Sequence, residues 1–88
     1  MAERGQPIIL KLGALSPAAE EALIHVSEEC GEVIQEATKI IRFGLDNYHP
    51  DDTTMTPNKL RLASEVAQLS EVYNEFVKHV IKQEKSNG

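Results

Sequence analysis

Two long segments with helical periodicity dominate this chain and leave it few possible folds. Each begins with a hydroxyl residue followed by proline, at Ser16-Pro17 and at Thr56-Pro57, and Gly44 follows the first segment. A hydroxyl side chain caps a helix N-terminus, proline suits the first helical position, and glycine adopts the left-handed conformation that ends a helix. No segment carries a strand pattern. The sequence therefore predicts an all-α chain of two long antiparallel helices with a short N-terminal segment.

The 88 residues suffice for one domain and are too few for two. We expect the helices at residues 17–43 and at 57 to about 83, joined by a loop of turn-forming residues. The division that follows is an N-terminal arm, one helical domain and a flexible tail, at residues 1–15, 16–83 and 84–88. Within the arm, the apolar run Ile8-Ile9-Leu10 is expected to cover apolar surface of its own or of a neighbouring subunit.

Two helices of this length do not enclose an interior by themselves. At a rise of 1.5 Å per residue, about 27 residues extend about 40 Å, and so short a chain buries a small share of its surface. Helices from a second copy would complete a four-helix bundle. We therefore expect a homodimer or a homotetramer.

The composition excludes some classes of protein. With 14 acidic and 9 basic side chains, the net charge of −5 argues against a nucleic-acid-binding surface, which would show a clustered basic excess. The first residues lack the apolar core of a signal peptide, and no apolar run approaches the roughly 20 residues of a membrane span. Cys30 is the only cysteine, which suits a reducing compartment. We expect a cytoplasmic protein without a membrane partner.

One side of the first helix is highly charged. At 100° per residue its polar residues share an arc of roughly 80°, with Glu29 and Glu36 on the flank. The residues in the arc are Glu28, Glu32, Gln35, Lys39 and Arg42. Like charges three or four residues apart repel by roughly 0.2–0.5 kcal/mol per pair. A divalent cation held among the glutamates would offset this repulsion. Lys39 and Arg42, which follow them on the same side, could then bind the phosphates that such a metal brings. An ordinary solvated face explains this helix equally well.

The opposite arc of the first helix is apolar. It contains Leu23, Val26, Cys30, Val33, Ile34, Ala37, Ile40 and Ile41. Since Cys30 points with these residues, we expect it to be a buried structural thiol and not a nucleophile.

The second helix favours the metal interpretation, because Glu65 lies inside its apolar stripe. The stripe contains Leu62, Val66, Leu69, Val72, Tyr73, Phe76, Val77 and Val80. A carboxylate in such a position costs several kcal/mol unless it is paired, protonated or bound to a metal. If the stripe faces the first helix, Glu65 meets the acidic cluster there, and hard oxygen ligands of this kind suit Mg²⁺ or Mn²⁺. The alternative is an ion pair of Glu65 with Lys39 or Arg42 of a neighbouring helix. Arg61 is expected to point elsewhere.

These residues resemble a known family. Glu28-Glu29-x-x-Glu32, followed a helix later by Glu65-x-x-Gln68, is similar to the E-E-x-x-E and E-x-x-D signature of the MazG-like, all-α nucleoside triphosphate pyrophosphohydrolases. The spacing to the cations Lys39 and Arg42 and the Phe-Gly that follows resembles the small phage-type and mobile-element members. The resemblance implies a helical bundle that dimerises, often pairing again into a tetramer. It also implies metal-dependent cleavage of a nucleoside triphosphate to the monophosphate and pyrophosphate, often to clear aberrant nucleotides.

The resemblance assigns roles by position. Metal ligation and the positioning of water would fall to Glu28, Glu29, Glu32 and Glu65, with Gln68 as a further ligand. Contacts to phosphate would fall to Lys39 and Arg42, with Asn58 as an additional polar contact. Mg²⁺ is the implied cofactor, and Mn²⁺ would also serve.

Gln68 departs from the family pattern, which has aspartate there. An amide oxygen can ligate Mg²⁺ but brings no charge, and Glu71 points roughly 60° further from the apolar stripe. The chain is then a working enzyme with a weakened metal site, an enzyme whose site another group completes, or a nucleotide binder with little turnover. A helical assembly protein without a ligand is the remaining alternative. A di-metal site built on His25 and Glu28 would need a matching Glu-x-x-His, and the second helix offers only His79.

Overall fold

The chain folds as a hairpin of two helices. The computed structural model describes residues 13–87, and its helices are α1 (Pro17–Phe43) and α2 (Asn58–Asn87). Within these residues there is no strand, so the all-α prediction is confirmed. Residues 1–12, most of the predicted arm and its apolar run, lie outside the described part of the chain.

The ends of α1 follow the local sequence. The Ser16 hydroxyl accepts a hydrogen bond from the Ala19 amide at 3.2 Å, and Pro17 opens the helix. At the other end Gly44 has a φ of 94°, and its amide donates to the Ile40 carbonyl at 2.8 Å. A residue with a side chain is strained at such a φ, which explains why glycine terminates this helix.

The ends of α2 differ from the prediction. Its first turn is closed by the Pro57 carbonyl, which accepts from the amides of Leu60 and Arg61 at 3.0 and 3.2 Å. Thr56 is not the cap, because the helix begins two residues later and the Thr56 hydroxyl is hydrogen-bonded to the Thr54 hydroxyl at 2.6 Å. The Thr56 amide donates to Asp52 of the loop at 3.0 Å. The helix also continues past residue 83 to Asn87, since neither glycine nor proline interrupts it before the last residue.

The two helices are antiparallel, as expected. The Gln83 side chain accepts from the Ser16 amide at 2.7 Å and donates to the Ala14 carbonyl at 2.9 Å, which ties the start of α1 to the end of α2. At the opposite end, the Asn58 side chain donates to the Gly44 carbonyl at 3.2 Å.

Each helix packs against the other along a stripe with alternating spacings of three and four residues, which we call the seam. On α1 the seam comprises Ala19, Ala22, Val26, Glu29, Val33, Glu36 and Ile40, all buried or half-buried. On α2 it comprises Asn58, Leu62, Glu65, Leu69, Val72, Phe76, His79 and Gln83. This spacing is typical of long helices that pack at a small crossing angle.

The seam uses only part of the apolar arc predicted on α1. Ile34 is 66% exposed and Ile41 is 83% exposed, and Cys30 is exposed as well, so the prediction of a buried thiol is wrong. The physical reason is rotational: these side chains lie about 100° around α1 from the seam. They therefore point past α2 and not into it.

Several exposed apolar side chains of both helices share one side of the hairpin, which we call the apolar face. It comprises Leu23, Ile34 and Ile41 of α1 with Val66 and Tyr73 of α2. On each helix they lie about 100° beyond the seam in the direction of increasing residue number. Because the helices are antiparallel, the two rotations lead to the same side.

The hairpin has almost no core of its own. Ala19 and Val72 are the buried apolar residues of the described chain, and no large side chain there is fully buried. The radius of gyration is 19.0 Å, whereas a compact chain of this length would have about 12 Å. Neither described helix combines the length and apolar character needed to cross a lipid bilayer.

Candidate functional site

Glu65 lies in the seam opposite the acidic side chains of α1. Burial raises the pKa of the Glu65 carboxyl, and the charges of Glu29 and Glu32, a hydrogen bond to Glu29 and the charge of Glu36 raise it further. The structure therefore brings Glu65 to the first-helix carboxylates, as the apolar stripe of α2 indicated. We call Glu29, Glu32, Glu36 and Glu65 the seam cluster.

Glu36 is the most buried member of the seam cluster and was placed by the sequence only on the flank of the charged arc. It is 6% exposed. Its Oε2 atom lies 3.2 Å from the Lys39 ammonium, whereas its Oε1 atom is buried and has no hydrogen-bond partner. Its position seven residues after Glu29 is the signal that could have found it, because residues seven apart share one side of a packed helix.

Lys39 and Arg42 differ in their surroundings. Lys39 pairs with Glu36, so this cation neutralises the α1 acid beside Glu65 and is not paired with Glu65 itself. Arg42 is exposed, and its guanidinium lies 5.2 Å from the centre of the adjacent Phe43 ring. Of the two predicted phosphate contacts, only Lys39 joins the seam cluster.

The other predicted metal ligands lie at the margin of the seam cluster. Glu28 is exposed and lines a groove of about 540 Å³, which Glu75 and the histidines His25 and His79 also line. Gln68 is exposed. Among residues 13–87, no three histidine, cysteine, aspartate or glutamate side chains are arranged to hold a metal ion. His25 lies 3.6 Å from the mostly buried Glu29 carboxylate.

The donor set of the seam cluster nevertheless suits a hard divalent cation. It consists of carboxylates alone, the class of ligand that Mg²⁺ and Mn²⁺ prefer. One of its buried oxygens, Glu36 Oε1, has no donor of its own. The chemistry of these donors therefore fits the metal that the family resemblance implies, although their present arrangement is not that of a formed metal site.

A cleft of about 620 Å³ opens beside the seam cluster, between the end of α1, the loop and the start of α2. Lys39 and Phe43 line it from α1, residues 47–52 from the loop, and Asn58 and Arg61 from α2. Lys39 belongs to both sites, since it lines the cleft and contacts Glu36. The cleft thus combines two cations with aromatic loop residues.

Arg61 is a cleft residue that the sequence analysis missed, because it was expected to point elsewhere. Its guanidinium donates to the Asp52 carboxylate, while its buried Nε atom has no hydrogen-bond partner. Asp52 also accepts from the Thr54 hydroxyl at 2.6 Å and from the amides of Thr54 and Thr56. The Thr54 hydroxyl and the Arg61 guanidinium hold the pKa of Asp52 well below its usual range, although burial opposes them. Asp52 therefore stays ionised and fixes Arg61.

Asn58 supports the loop more directly than it serves the cleft. It is buried, its side chain donates to the Gly44 carbonyl, and its amide donates to the Asn47 carbonyl at 2.7 Å. The next amide, that of Lys59, donates to the Leu45 carbonyl at 3.0 Å. These bonds attach the loop to the start of α2 and so shape the floor of the cleft.

No protein-family model, no curated protein and no solved structure matches this chain.

Proposed function

We propose that this chain is a metal-dependent nucleoside triphosphate pyrophosphohydrolase, which cleaves its substrate to a nucleoside monophosphate and pyrophosphate. The observation that carries the proposal is the position of Glu65, a half-buried carboxyl in the seam. Burial and the charges of Glu29, Glu32 and Glu36 raise its pKa. Neighbouring carboxylates repel one another and destabilise the metal-free fold, whereas a divalent cation would turn them into a binding site. The resemblance to the MazG-like signature supports the same reaction.

The proposed metal is Mg²⁺, with Mn²⁺ as a substitute, and Glu29, Glu32 and Glu65 would hold it, with Glu28 and Gln68 at the margin. When bound, such a cation neutralises phosphate charge and lowers the pKa of bound water. A carboxylate at the margin of the site, such as Glu28, would accept the proton of the attacking water.

The cleft is the proposed place of the nucleotide. Lys39 and Arg61 would bind the phosphates, since both cations line the cleft and Lys39 also contacts the seam cluster. Arg61 is suited to this role because Asp52 holds its guanidinium in place and its Nε donor is unused. Phe43 and Tyr48 would pack against the base, which has an apolar face.

The apolar face is the proposed dimer interface. Large apolar side chains of both helices lie exposed on one side, and only Ala19 and Val72 are buried apolar residues in the described part of the chain. Contiguous exposed apolar surface of this kind marks an interaction site. A second copy supplies an equally apolar face and two further helices, which would complete a four-helix bundle as a homodimer or, by a second pairing, a homotetramer.

A nucleotide-binding protein with little turnover is the second candidate, and Gln68 is the observation that favours it. This residue is neutral and exposed where the family signature has a carboxylate, and a missing charge weakens a metal site. A helical assembly protein without a ligand has less support, because it has no use for Glu65 in the seam.

Pyrophosphate release tests the proposal. The purified chain is incubated with a panel of standard and modified nucleoside triphosphates in Mg²⁺, in Mn²⁺ and in chelator. The enzyme should release pyrophosphate only with metal, and Glu65→Gln should abolish release while the helical circular dichroism is kept. No release, together with a nucleotide-dependent rise in melting temperature, would identify the binder instead. No response in either assay would leave the assembly protein.

A further inference from the structure

The proposed metal site lacks one carboxylate. Its second-helix residues are Glu65 and Gln68, and only the first carries a charge. Glu71, the nearest other acid of α2, is exposed and lies roughly 120° around the helix from the direction of Glu65. Another element must therefore supply the fourth charge if the site is to match one built on four carboxylates.

Glu36 has the position for this role, and one of its carboxylate oxygens has no hydrogen-bond partner. It lies in the seam that faces α2, where it is 6% exposed. Glu29, Glu32 and Glu36 follow one another at intervals of three and four residues, so they lie one above the other along the side of α1 that borders α2. Glu36 is thus continuous with the cluster and not a separate acid.

The two oxygens of Glu36 are in different states. Oε2 is held by the Lys39 ammonium at 3.2 Å, whereas Oε1 is buried without a donor. An unpartnered buried carboxylate oxygen is unfavourable, because it has lost water and gained nothing in exchange. A cation bound by Oε1 supplies the missing partner, and a cationic side chain on the other oxygen is the kind of outer contact that orients a metal ligand.

We propose that Glu36 is the carboxylate that replaces the absent aspartate, with Oε1 as the metal ligand and Lys39 holding Oε2 to orient it. This inference rests on the proposed function, since it assigns a further ligand to the same metal site. It also gives Lys39 a positioning role besides its contact with phosphate.

Direct binding of Mn²⁺ to the full chain, followed by electron paramagnetic resonance without nucleotide, tests the inference. Glu36→Gln should weaken Mn²⁺ binding at least about tenfold, as the loss of a charged ligand does. Gln68→Asp added to Glu36→Gln should restore affinity to within about threefold of the unsubstituted chain, because it returns the charge to the same site. Glu71→Gln and Glu20→Gln each remove one exposed carboxylate and should leave Mn²⁺ affinity within about twofold.

The outcomes separate the two proposals. Full affinity in Glu36→Gln, with binding by the unsubstituted chain intact, overturns the role of Glu36 and leaves the proposed function standing. Equal losses in Glu36→Gln and Glu71→Gln also overturn it, because they indicate a diffuse charge effect. Absence of Mn²⁺ binding by the unsubstituted chain overturns both proposals. If Glu36→Gln loses its helical signal, Glu36→Asp replaces it: the charge is kept but withdrawn by one methylene, and affinity should again fall at least about tenfold.

Discussion

Replacing Glu36 by methionine should stabilise the metal-free protein, although it removes an ion pair. The unpartnered Oε1 atom costs about 1–3 kcal/mol as a buried acceptor without a donor. The pair with Lys39 joins residues three apart, and the Lys39 side chain is 37% exposed, so its loss costs about 0.2–1 kcal/mol. Methionine matches the length of glutamate and fills the seam. The net gain is between about 0 and 3 kcal/mol and centres on roughly 1 kcal/mol. Each kcal/mol raises the melting temperature by about 4–8 °C.

The assay is thermal unfolding by circular dichroism, in chelator and in Mn²⁺, at one protomer concentration because assembly alters the melting temperature. In chelator Glu36→Met should melt above the unsubstituted chain. At about 100 times its dissociation constant, Mn²⁺ should stabilise the unsubstituted chain by about 2.7 kcal/mol and the variant by much less, so the order reverses. Glu71→Met, at an exposed position of α2, should change stability by no more than about 0.5 kcal/mol.

A lower melting temperature for Glu36→Met in chelator would refute this reasoning. It would mean that the carboxylate contributes more to the fold through Lys39 than its unpartnered oxygen costs. Glu36 would then be a structural residue, and the buried oxygen would have a donor in solution.

Three further predictions concern other parts of the molecule. Because the folded-state pKa of Glu65 is raised above its ordinary value of 4.5, the stabilisation from its protonated form is complete below that value and is lost as pH rises through the folded pKa. In chelator, the denaturant midpoint of the unsubstituted chain should therefore fall relative to that of Glu65→Gln as the pH rises from about 4 to about 8. Arg61→Ala should raise the KM for the nucleotide about tenfold or more, and by more than Arg42→Ala does, because Arg61 lines the cleft; equal effects in steady-state kinetics would contradict this. Ile34→Glu should shift the sedimentation coefficient to that of a single chain, since a charge in an apolar interface is unfavourable; an unchanged oligomer would place the interface elsewhere.

The parts of the fold that the sequence predicted are those determined by neighbouring residues. Ser16 caps α1 and Gly44 ends it because both act on amides and carbonyls within one helical turn. The start of α2 was predicted to within one residue, but its cap was not, because the loop before it is organised over a longer range. The Thr56 amide donates to Asp52, and the Thr56 hydroxyl is bonded to the Thr54 hydroxyl and does not cap the helix. Asp52 also accepts from Arg61 of α2, a contact that neighbouring residues do not reveal.

The site was predictable to the extent that it depends on the rotation of one helix. Glu65 was found because a carboxylate in an apolar stripe stands out at 100° per residue. Glu36 is not found in this way, because the sequence pattern favours the apolar arc of α1 as the surface that meets α2. The seam lies between the charged arc and the apolar arc, so it takes Glu29 and Glu36 from one and Val33 and Ile40 from the other. Sequence polarity alone does not fix that rotation, since it depends on what covers the rest of the apolar arc.

The rotation of α1 links the proposed metal site to the proposed dimer. A lone hairpin would gain most by turning Ile34 and Ile41 into the seam and Glu29 and Glu36 out to water. The structure has the opposite arrangement, with both aliphatic side chains exposed and both carboxylates in the seam. The proposed second copy would make this arrangement favourable by burying the apolar face, and the proposed cation would do the same for the carboxylates in the seam. Ligands that prefer one folded form reinforce each other, so we expect Mn²⁺ to tighten the dimer, and the dimer to bind Mn²⁺ more strongly than the single chain does.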